Sequence, residues 1–488
     1  MYITRLHVKN IKLMRDLQLD FTHEGKPRMW TVFVAENGAC KTTLLQSIAL
    51  AASGPERANQ LADVPSLPDL RRPTEPGQIS ADFKFGSQLA KWRRFPSIGK
   101  TSIKGPLRSS LNIAPGQSTF SGESWNAPSE VLTSTSKKEA RSEPSTEELF
   151  EELLRHVRGM TKEEIKKRLE SAELQIPVAR LLGLIVGPHG PISEARSKSL
   201  PGWFIAGYGT QRQLPVPLSA SALTDRVLNR LEPLFGKASL IGTGFANQFA
   251  DTPRFAPFLD ALEKVFVDNH LLPHVDAIEL RGRGGMSQPG DLIRSHNFEF
   301  AFSGQKTKVP ATWLSQGYQS TIAWIADLIG QMYLDIGEAV PLEDMEGMVL
   351  IDELDLHLHP TWQVRLVPVL KRVFPRMQFI VTTHSPMLLP ALEQHEIVML
   401  RLDQNGNVVA EPPSASPKLM TGSEIYSSFF NIQKLYPNDL GKELRRYTFL
   451  SSDPTRTEEE DAEMLLLQKK LIDAGLDLGL PPVPREVS

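Results

Sequence analysis

The sequence has little of what marks secreted, membrane-spanning or uniformly basic proteins. Its 488 residues include one cysteine, so no disulfide can form within the chain, which fits a reducing cytoplasm. The longest apolar stretches, such as 322–332, contain a charged residue and fall short of the roughly 20 residues that cross a bilayer. Lys and Arg number 54 against 57 Asp and Glu, which excludes an overall basic coat for nucleic acid but not a local basic groove. We expect a cytoplasmic protein without a membrane segment.

The hydrophobic patterning predicts an α/β fold. Residues 3–21 alternate apolar and polar side chains around a short turn, as an antiparallel β hairpin does, and they lack the pattern of a signal peptide. The continuous apolar runs 348–351 and 379–381 flank a helical stretch. Such an alternation is typical of neighbouring strands in a parallel sheet with helices on both faces.

The composition changes along the chain and predicts four regions. Residues 93–144 are rich in Ser, Thr, Pro and Lys, and two helices are predicted to begin at capping boxes, Ser145 with Glu148 and Thr161 with Glu164. A third capping box, at Thr457, predicts a helix near the end of the chain. The predicted regions are the N-terminal part of the core at 1–90, a loop-rich and helical insertion at 91–200, the rest of the core at 201–400, and C-terminal helices with a loose tail at 401–488.

A candidate phosphate-binding loop lies between a predicted strand, 30–34, and a predicted helix. Its residues are Glu36, Asn37, Gly38, Ala39, Cys40, Lys41, Thr42 and Thr43. The start of a helix favours phosphate, Lys41 would reach the β- and γ-phosphates of a nucleotide, and the Thr42 hydroxyl would bind Mg²⁺. The strict motif has glycine at the positions of Ala35 and Cys40, so both side chains would have to point away from the nucleotide. The alternative is a plain strand-to-helix turn.

Two further predicted strands end in side chains suited to phosphoryl chemistry. Asp352 and Glu353 follow the run 348–351, where Asp352 would hold Mg²⁺ and Glu353 would orient or deprotonate the attacking water. His384 follows the second run and would contact the γ-phosphate. A solvated acidic strand end and a structural histidine are the alternatives.

Residues 314–320, Leu-Ser-Gln-Gly-Tyr-Gln-Ser, resemble the Leu-Ser-Gly-Gly-Gln signature of ABC-type ATPases. With the phosphate loop, the Asp-Glu pair and the histidine in this order, the chain resembles the ATPase head of the ABC superfamily, in the branch with RecF, SMC and OLD-type proteins. The resemblance implies ATP and Mg²⁺ as cofactors and a homodimer or higher oligomer in which Ser315 and Gly317 contact the ATP of a second protomer. It also places His359 at the D-loop position, as in OLD-like ATPases.

Within this branch the chain resembles PtuA-like ATPases of Septu-type prokaryotic defence systems. That resemblance implies an ATPase that controls a separately encoded nuclease, because no Toprim-type carboxylates follow His384. Two alternatives stay open: a RecF-like DNA-repair ATPase, and an ATP-gated scaffold with little hydrolysis. The basic stretches 91–94 and 281–284 leave direct contact with double-stranded DNA open as well.

Three smaller features have ambiguous roles in the sequence. Asp355, His357 and His359 have the spacing of a metal cluster but coincide with the D-loop. The segment 207–212 is predicted to be a structural turn that ends in the cationic residue Arg212. Gln78 and Gln211 are both candidates for the Q-loop glutamine.

Overall fold

The computed structural model describes residues 1–84, 107–121, 204–212, 225–237, 240–279, 297–302, 305–430, 432, 438–478 and 483–484. These residues form two units, 1–412 and 413–488, which are described separately. The predicted helices at Ser145 and Thr161 and the basic stretches 91–94 and 281–284 lie outside the described residues.

The elements of both units are as follows. The strands are β1 (Tyr2–Ile11), β2 (Met14–Asp20), β3 (Thr22–His23), β4 (Lys26–Pro27), β5 (Trp30–Ala35), β6 (Gly77–Lys84), β7 (Leu107–Ile113), β8 (Ile205–Tyr208), β9 (Val275–Glu279), β10 (Asn297–Phe302), β11 (Gln305–Pro310), β12 (Gly347–Ile351), β13 (Met377–Thr383), β14 (Ile397–Leu402) and β15 (Val408–Glu411). The α-helices are α1 (Lys41–Ser53), α2 (Pro55–Leu61), α3 (Arg226–Leu231), α4 (Phe245–Phe249), α5 (Phe255–Glu263), α6 (Gln316–Ile336), α7 (Pro360–Val373), α8 (Gly422–Phe430), α9 (Asn438–Ser452) and α10 (Glu458–Asp473).

A six-stranded sheet in the order β15-β14-β5-β13-β12-β8 forms the centre of the larger unit. Every residue of β5, β12 and β13 is buried, as expected of strands that are covered on both faces. The pairings from β14 through β8 are parallel, so these strands end at one edge of the sheet. The predicted α/β fold is confirmed, and the edge at the carboxyl ends is where α/β proteins bind ligands.

A second, antiparallel sheet has the order β2-β1-β6-β7. The predicted N-terminal hairpin is confirmed, since β1 and β2 pair antiparallel from Arg5 to Ile11. Helix α1 contacts β6 and β7 of this sheet and β12 and β13 of the central sheet, so the two sheets share one hydrophobic core.

Two of the predicted region boundaries are wrong. The sequence predicts a loop-rich and helical insertion at 91–200, but β7 belongs to the antiparallel sheet, where its Ser109 and Ser110 are buried beside β6. Residues that favour loops are thus held in a strand by their pairing with β6. The C-terminal region was predicted to begin at 401, but β15 pairs with β14 and extends the larger unit to Pro412.

Helix α6 is almost fully buried and is held at two acidic residues. Asp327 accepts hydrogen bonds from the backbone N–H groups of Ile241 (2.9 Å) and Gly242 (3.2 Å) and from the Tyr208 hydroxyl (3.2 Å). Asp335 lies 2.9 Å from the Arg230 guanidinium, and both side chains are 1% exposed. The helix that starts at the signature segment is therefore tied to β8 and to α3. Among the described residues no helix has the length and apolarity of a membrane span.

Replacing Asp327 with Asn is expected to remove a pH dependence of stability. Burial raises the pKa of Asp327 to about 6, against backbone and Tyr208 hydrogen bonds that lower it. Because the carboxyl has a higher pKa in the folded than in the unfolded protein, the protonated carboxyl stabilises the folded state at low pH. This stabilisation is lost as the pH rises from about 4 to about 6. The stability of Asp327→Asn relative to wild type should thus increase by about 2 kcal/mol between pH 4.5 and pH 7 and stay constant above.

Denaturant unfolding at several pH values measures this difference. The matched control is Asp63→Asn, which removes an exposed carboxyl instead of a buried one. A pH-independent difference for Asp327→Asn would mean that the carboxyl does not titrate between the two states.

The smaller unit contains α8, α9 and α10. Helices α9 and α10 pack through Tyr447, Leu450, Met464, Leu467 and Leu471. The predicted capping box is confirmed, because Thr457 accepts from the Glu460 N–H and the Glu460 carboxylate accepts from the Thr457 N–H.

Candidate nucleotide site

The candidate phosphate loop connects β5 to α1, the context that such a loop requires. Cys40 is the N-cap of α1 and has left-handed backbone angles (φ 58°, ψ 23°), a region that glycine occupies most easily. Its side chain is half-buried and packs against the hydrophobic core. The thiol is thus directed into the protein, as the loop assignment demands of a residue that replaces glycine.

Two ammonium groups reach the loop. Lys41 is buried, and its Nζ donates to the carbonyl oxygens of Ala35 (3.0 Å) and Glu36 (2.9 Å). Burial lowers the pKa of Lys41, while the nearby carboxylates of the Asp352–Asp355 segment raise it. Lys12, at the end of the N-terminal hairpin, donates to the Thr43 hydroxyl at 2.9 Å. No sequence signal assigned Lys12 to the loop, because the contact spans 31 residues.

The structure brings together Thr42 and Asp352, which are 310 residues apart. The Thr42 hydroxyl donates to one carboxylate oxygen of Asp352 (2.6 Å), and the Thr382 hydroxyl donates to the other (2.7 Å). A hydroxyl at the start of α1 and a carboxylate that follows β12 supply the oxygen ligands that Mg²⁺ prefers. The donor set therefore fits a magnesium ion bound together with substrate phosphates.

Glu353 stands beside Asp352 in a strained backbone conformation. Its φ of 49° is in the left-handed region. The Glu353 N–H donates to the Thr382 hydroxyl at 2.7 Å, and its carbonyl accepts from Arg212 at 2.7 Å. Sequence reasoning missed this arginine and took its segment for a structural turn.

The signature segment begins α6. Ser315 is the exposed N-cap residue, and its hydroxyl makes no capping hydrogen bond, so the side chain does not stabilise the start of α6 as a helix cap. Gly317 packs so closely on the D-loop that a Cβ there would lie 2.4 Å from the His357 carbonyl oxygen. The start of α6 is thereby fixed against the segment that follows Glu353.

The remaining predicted residues lie at or near the same edge. His384 follows β13 and is half-buried. His359 is the N-cap of α7, where its ring nitrogen is 2.9 Å from the Thr361 hydroxyl. Asp355 accepts from Thr383 at 2.5 Å. Across the described parts of the chain, no group of three His, Cys, Asp or Glu side chains could hold a metal by itself.

The two candidate Q-loop glutamines are far apart in the fold. Gln211 is exposed and follows β8, which neighbours β12 in the central sheet. Gln78 lies in β6 and donates to the Asn112 side chain at 3.0 Å within the antiparallel sheet. The position after β8 favours Gln211.

Alkylation of Cys40 is expected to block nucleotide binding, and bound ATP is expected to slow the alkylation. The thiol is the only one in the chain and stands directly before Lys41, so an added group would distort the loop. Mass spectrometry after iodoacetamide treatment, with and without ATP, measures the protection. The Cys40→Ser variant, which the reagent cannot modify, should keep its ATP binding after treatment. Equal labelling in both conditions would contradict the loop assignment.

Comparison with known proteins agrees with this geometry. Residues 213–389, which include Ser315, Asp352, Glu353 and His384, match the AAA domain family AAA_21, whose description also names the AbiEii toxin of a Type IV TA system. The chain is 23% identical over 478 residues to the Septu protein PtuA of Bacillus mycoides, covering 96% of this chain and 50% of that protein. It is 36% identical over 126 residues to the Retron Ec83 probable ATPase of Escherichia coli, covering 26% and 22%.

The chain spans half the length of that PtuA. It spans less than a third of the length of the Retron Ec83 probable ATPase and of two further curated relatives. Among solved structures it resembles an SMC head bound to the C-winged helix domain of ScpA, with 14% identity, a TM-score of 0.43 and coverage of 84% of this chain and 98% of that one. The motifs, their assembly at one sheet edge and the relatives confirm the predicted resemblance. The chain resembles ABC-type ATPase heads, and the Septu protein PtuA and retron ATPases are among the proteins to which it is similar.

Proposed function

We propose that this head binds ATP with Mg²⁺ and hydrolyses it between two copies arranged head to tail, and that this cycle controls a separately encoded nuclease in antiphage defence. The contact between Thr42 and Asp352 carries the proposal, because it joins the phosphate loop to the acidic strand end. The similarity to PtuA supports the defence role and the separate effector.

Each residue of the site has a chemical task in this proposal. When ATP binds, the Lys41 ammonium leaves the loop carbonyl oxygens and contacts the β- and γ-phosphates. Thr42 and Asp352 hold the metal. When bound, Mg²⁺ neutralises charge on the phosphate oxygens. Glu353 accepts a proton from the attacking water, and His384 donates a hydrogen bond to the γ-phosphate.

A second copy is needed because the signature segment faces outward. Ser315 and Gln316 are exposed at the start of a 21-residue helix, whose N-terminus favours phosphate. Trp313, two residues before Ser315, is 78% exposed, and aromatic side chains of this size are enriched where protein surfaces meet. These features support contact with the ATP of a partner protomer.

The testing experiment is ATP turnover by the purified chain with and without Mg²⁺, duplex DNA and a candidate nuclease partner. The proposal predicts Mg²⁺-dependent turnover that the nuclease partner changes. DNA stimulation that needs no nuclease would favour the RecF-like alternative. Bound ATP without turnover in any condition would favour the ATP-gated scaffold.

A further inference from the structure

The turn at Glu353 stores backbone strain that its surroundings have to balance. The left-handed region is sterically unfavourable for a non-glycine residue, and such residues persist where neighbouring contacts over-determine the conformation. Here the turn joins β12 to the D-loop, so its conformation sets the direction in which the Glu353 carboxylate leaves the sheet.

Arg212 holds this turn through two hydrogen bonds to its backbone. One guanidinium nitrogen, Nη1, donates to the Asp352 carbonyl at 2.5 Å, and the other, Nη2, donates to the Glu353 carbonyl at 2.7 Å. The planar fork of an arginine suits two acceptors held side by side. With the Glu353 N–H bound to Thr382, the peptide groups on both sides of the Glu353 α-carbon are fixed.

The charged guanidinium of Arg212 is buried and binds backbone carbonyl oxygens. The side chain is 4% exposed, and burial lowers its pKa to about 10 against the attraction of Asp352, Asp355 and Glu353, so it is charged at neutral pH. Its hydrogen bonds go to two carbonyls and to a hydroxyl. The guanidinium therefore binds the backbone of Asp352 and Glu353 and leaves the Asp352 carboxylate to Thr42 and Thr382.

The third hydrogen bond reaches the signature helix. Arg212 Nε lies 3.4 Å from the hydroxyl of Ser320, the buried last residue of the signature segment 314–320. The guanidinium thus bridges the helix that starts at Ser315 and the turn that carries Glu353.

We propose that Arg212 is a positioning residue, which fixes the Glu353 turn and links it to the signature helix of the same chain. The inference rests on the proposed function, since it assigns a role within the same hydrolytic site. Arg212 itself touches neither nucleotide nor water in this proposal.

The test is Arg212→Lys, which keeps the charge but replaces the two-pronged fork with one ammonium. Misplacing a catalytic group by about 1 Å costs up to about 100-fold in rate, so we expect kcat to fall about 10- to 100-fold while KM for ATP changes less than about threefold. The amides of the segment 352–358 should exchange with deuterium about tenfold faster than in wild type. The more drastic variant Arg212→Gln should increase both effects.

The matched control is Arg226→Lys. Arg226 is half-buried and donates to the Leu334 carbonyl at 3.1 Å, so it binds the far end of the same helix without touching the turn. This control should keep the kcat and the exchange of the segment 352–358 within twofold of wild type.

Three results would overturn the proposal: unchanged exchange at the segment 352–358 in Arg212→Lys, an equal loss of ATP affinity and kcat, or the same loss in Arg226→Lys. Hydrogen exchange needs no turnover, so it separates the two proposals. A wild type without ATPase activity would refute the proposed hydrolysis, whereas faster exchange in Arg212→Lys would still establish that Arg212 holds the turn.

Discussion

Glu353→Gln is expected to lower kcat for ATP hydrolysis about 100- to 10,000-fold while ATP still binds. Glutamine keeps the size and the hydrogen-bonding shape of glutamate but cannot accept the proton of the attacking water. The contacts that hold the turn use backbone atoms of residue 353, so the substitution leaves them in place. Lys41, Thr42 and Asp352, which would hold the nucleotide and metal, are also unchanged.

Single-turnover kinetics and equilibrium ATP binding together measure this effect. Because unhydrolysed ATP would keep two heads joined, light scattering should show the variant as a dimer in ATP and as smaller species without it. The exposed Glu338→Gln serves as control and should turn over as wild type does. A variant that stays strictly monomeric with ATP bound would refute the head-to-tail arrangement, and wild-type turnover would refute the role of Glu353.

Gly317→Ala is expected to reduce turnover about 100-fold or more through a different route. The new Cβ would lie 2.4 Å from the His357 carbonyl oxygen, closer than side-chain atoms approach backbone, so the start of α6 or the D-loop must move. Overpacking of this kind costs typically about 1–3 kcal/mol of stability. At least one of the two segments that would face a second copy is displaced, although the phosphate loop is untouched.

The expected signature of Gly317→Ala is retained ATP binding with loss of ATP-dependent dimerisation, measured well below the melting temperature of the variant. Gly422→Ala is the matched control: it also stands at the start of a helix, but its added Cβ would have nothing within 4 Å. That control should be neutral or slightly stabilising, because alanine favours helices over glycine. Normal dimerisation of Gly317→Ala would show that the close contact with His357 is absent from the working state.

Local patterns in the sequence predicted the parts of the site that lie at the ends of apolar strands. Lys41, Asp352 and His384 each follow a run of buried residues, and the parallel pairing of the strands brings such ends to one edge. The order of the motifs supplied the nucleotide chemistry. Each strand end and each motif is itself made of residues that are neighbours along the chain.

The contacts that were missed depend on residues that are distant along the chain. Arg212 follows a four-residue strand, and nothing in its neighbourhood indicates that it binds carbonyls about 140 residues later. Strand β7 is predicted as a loop because Ser109 and Ser110 favour turns, whereas in the structure β7 pairs with β6 and both serines are buried. Tertiary packing overrides local preference in such places.

The position of β5 in the central sheet has a consequence for synthesis of the protein. Its neighbours there are β13 and β14, which begin at Met377 and Ile397, more than 340 residues after β5 ends. At about 5–20 residues per second, a ribosome needs roughly 20–70 s to make that stretch. During this time the apolar strand Trp30–Ala35 has left the exit tunnel without the strands that will flank it. Productive folding therefore requires that the nascent strand be shielded from aggregation until the last fifth of the chain emerges.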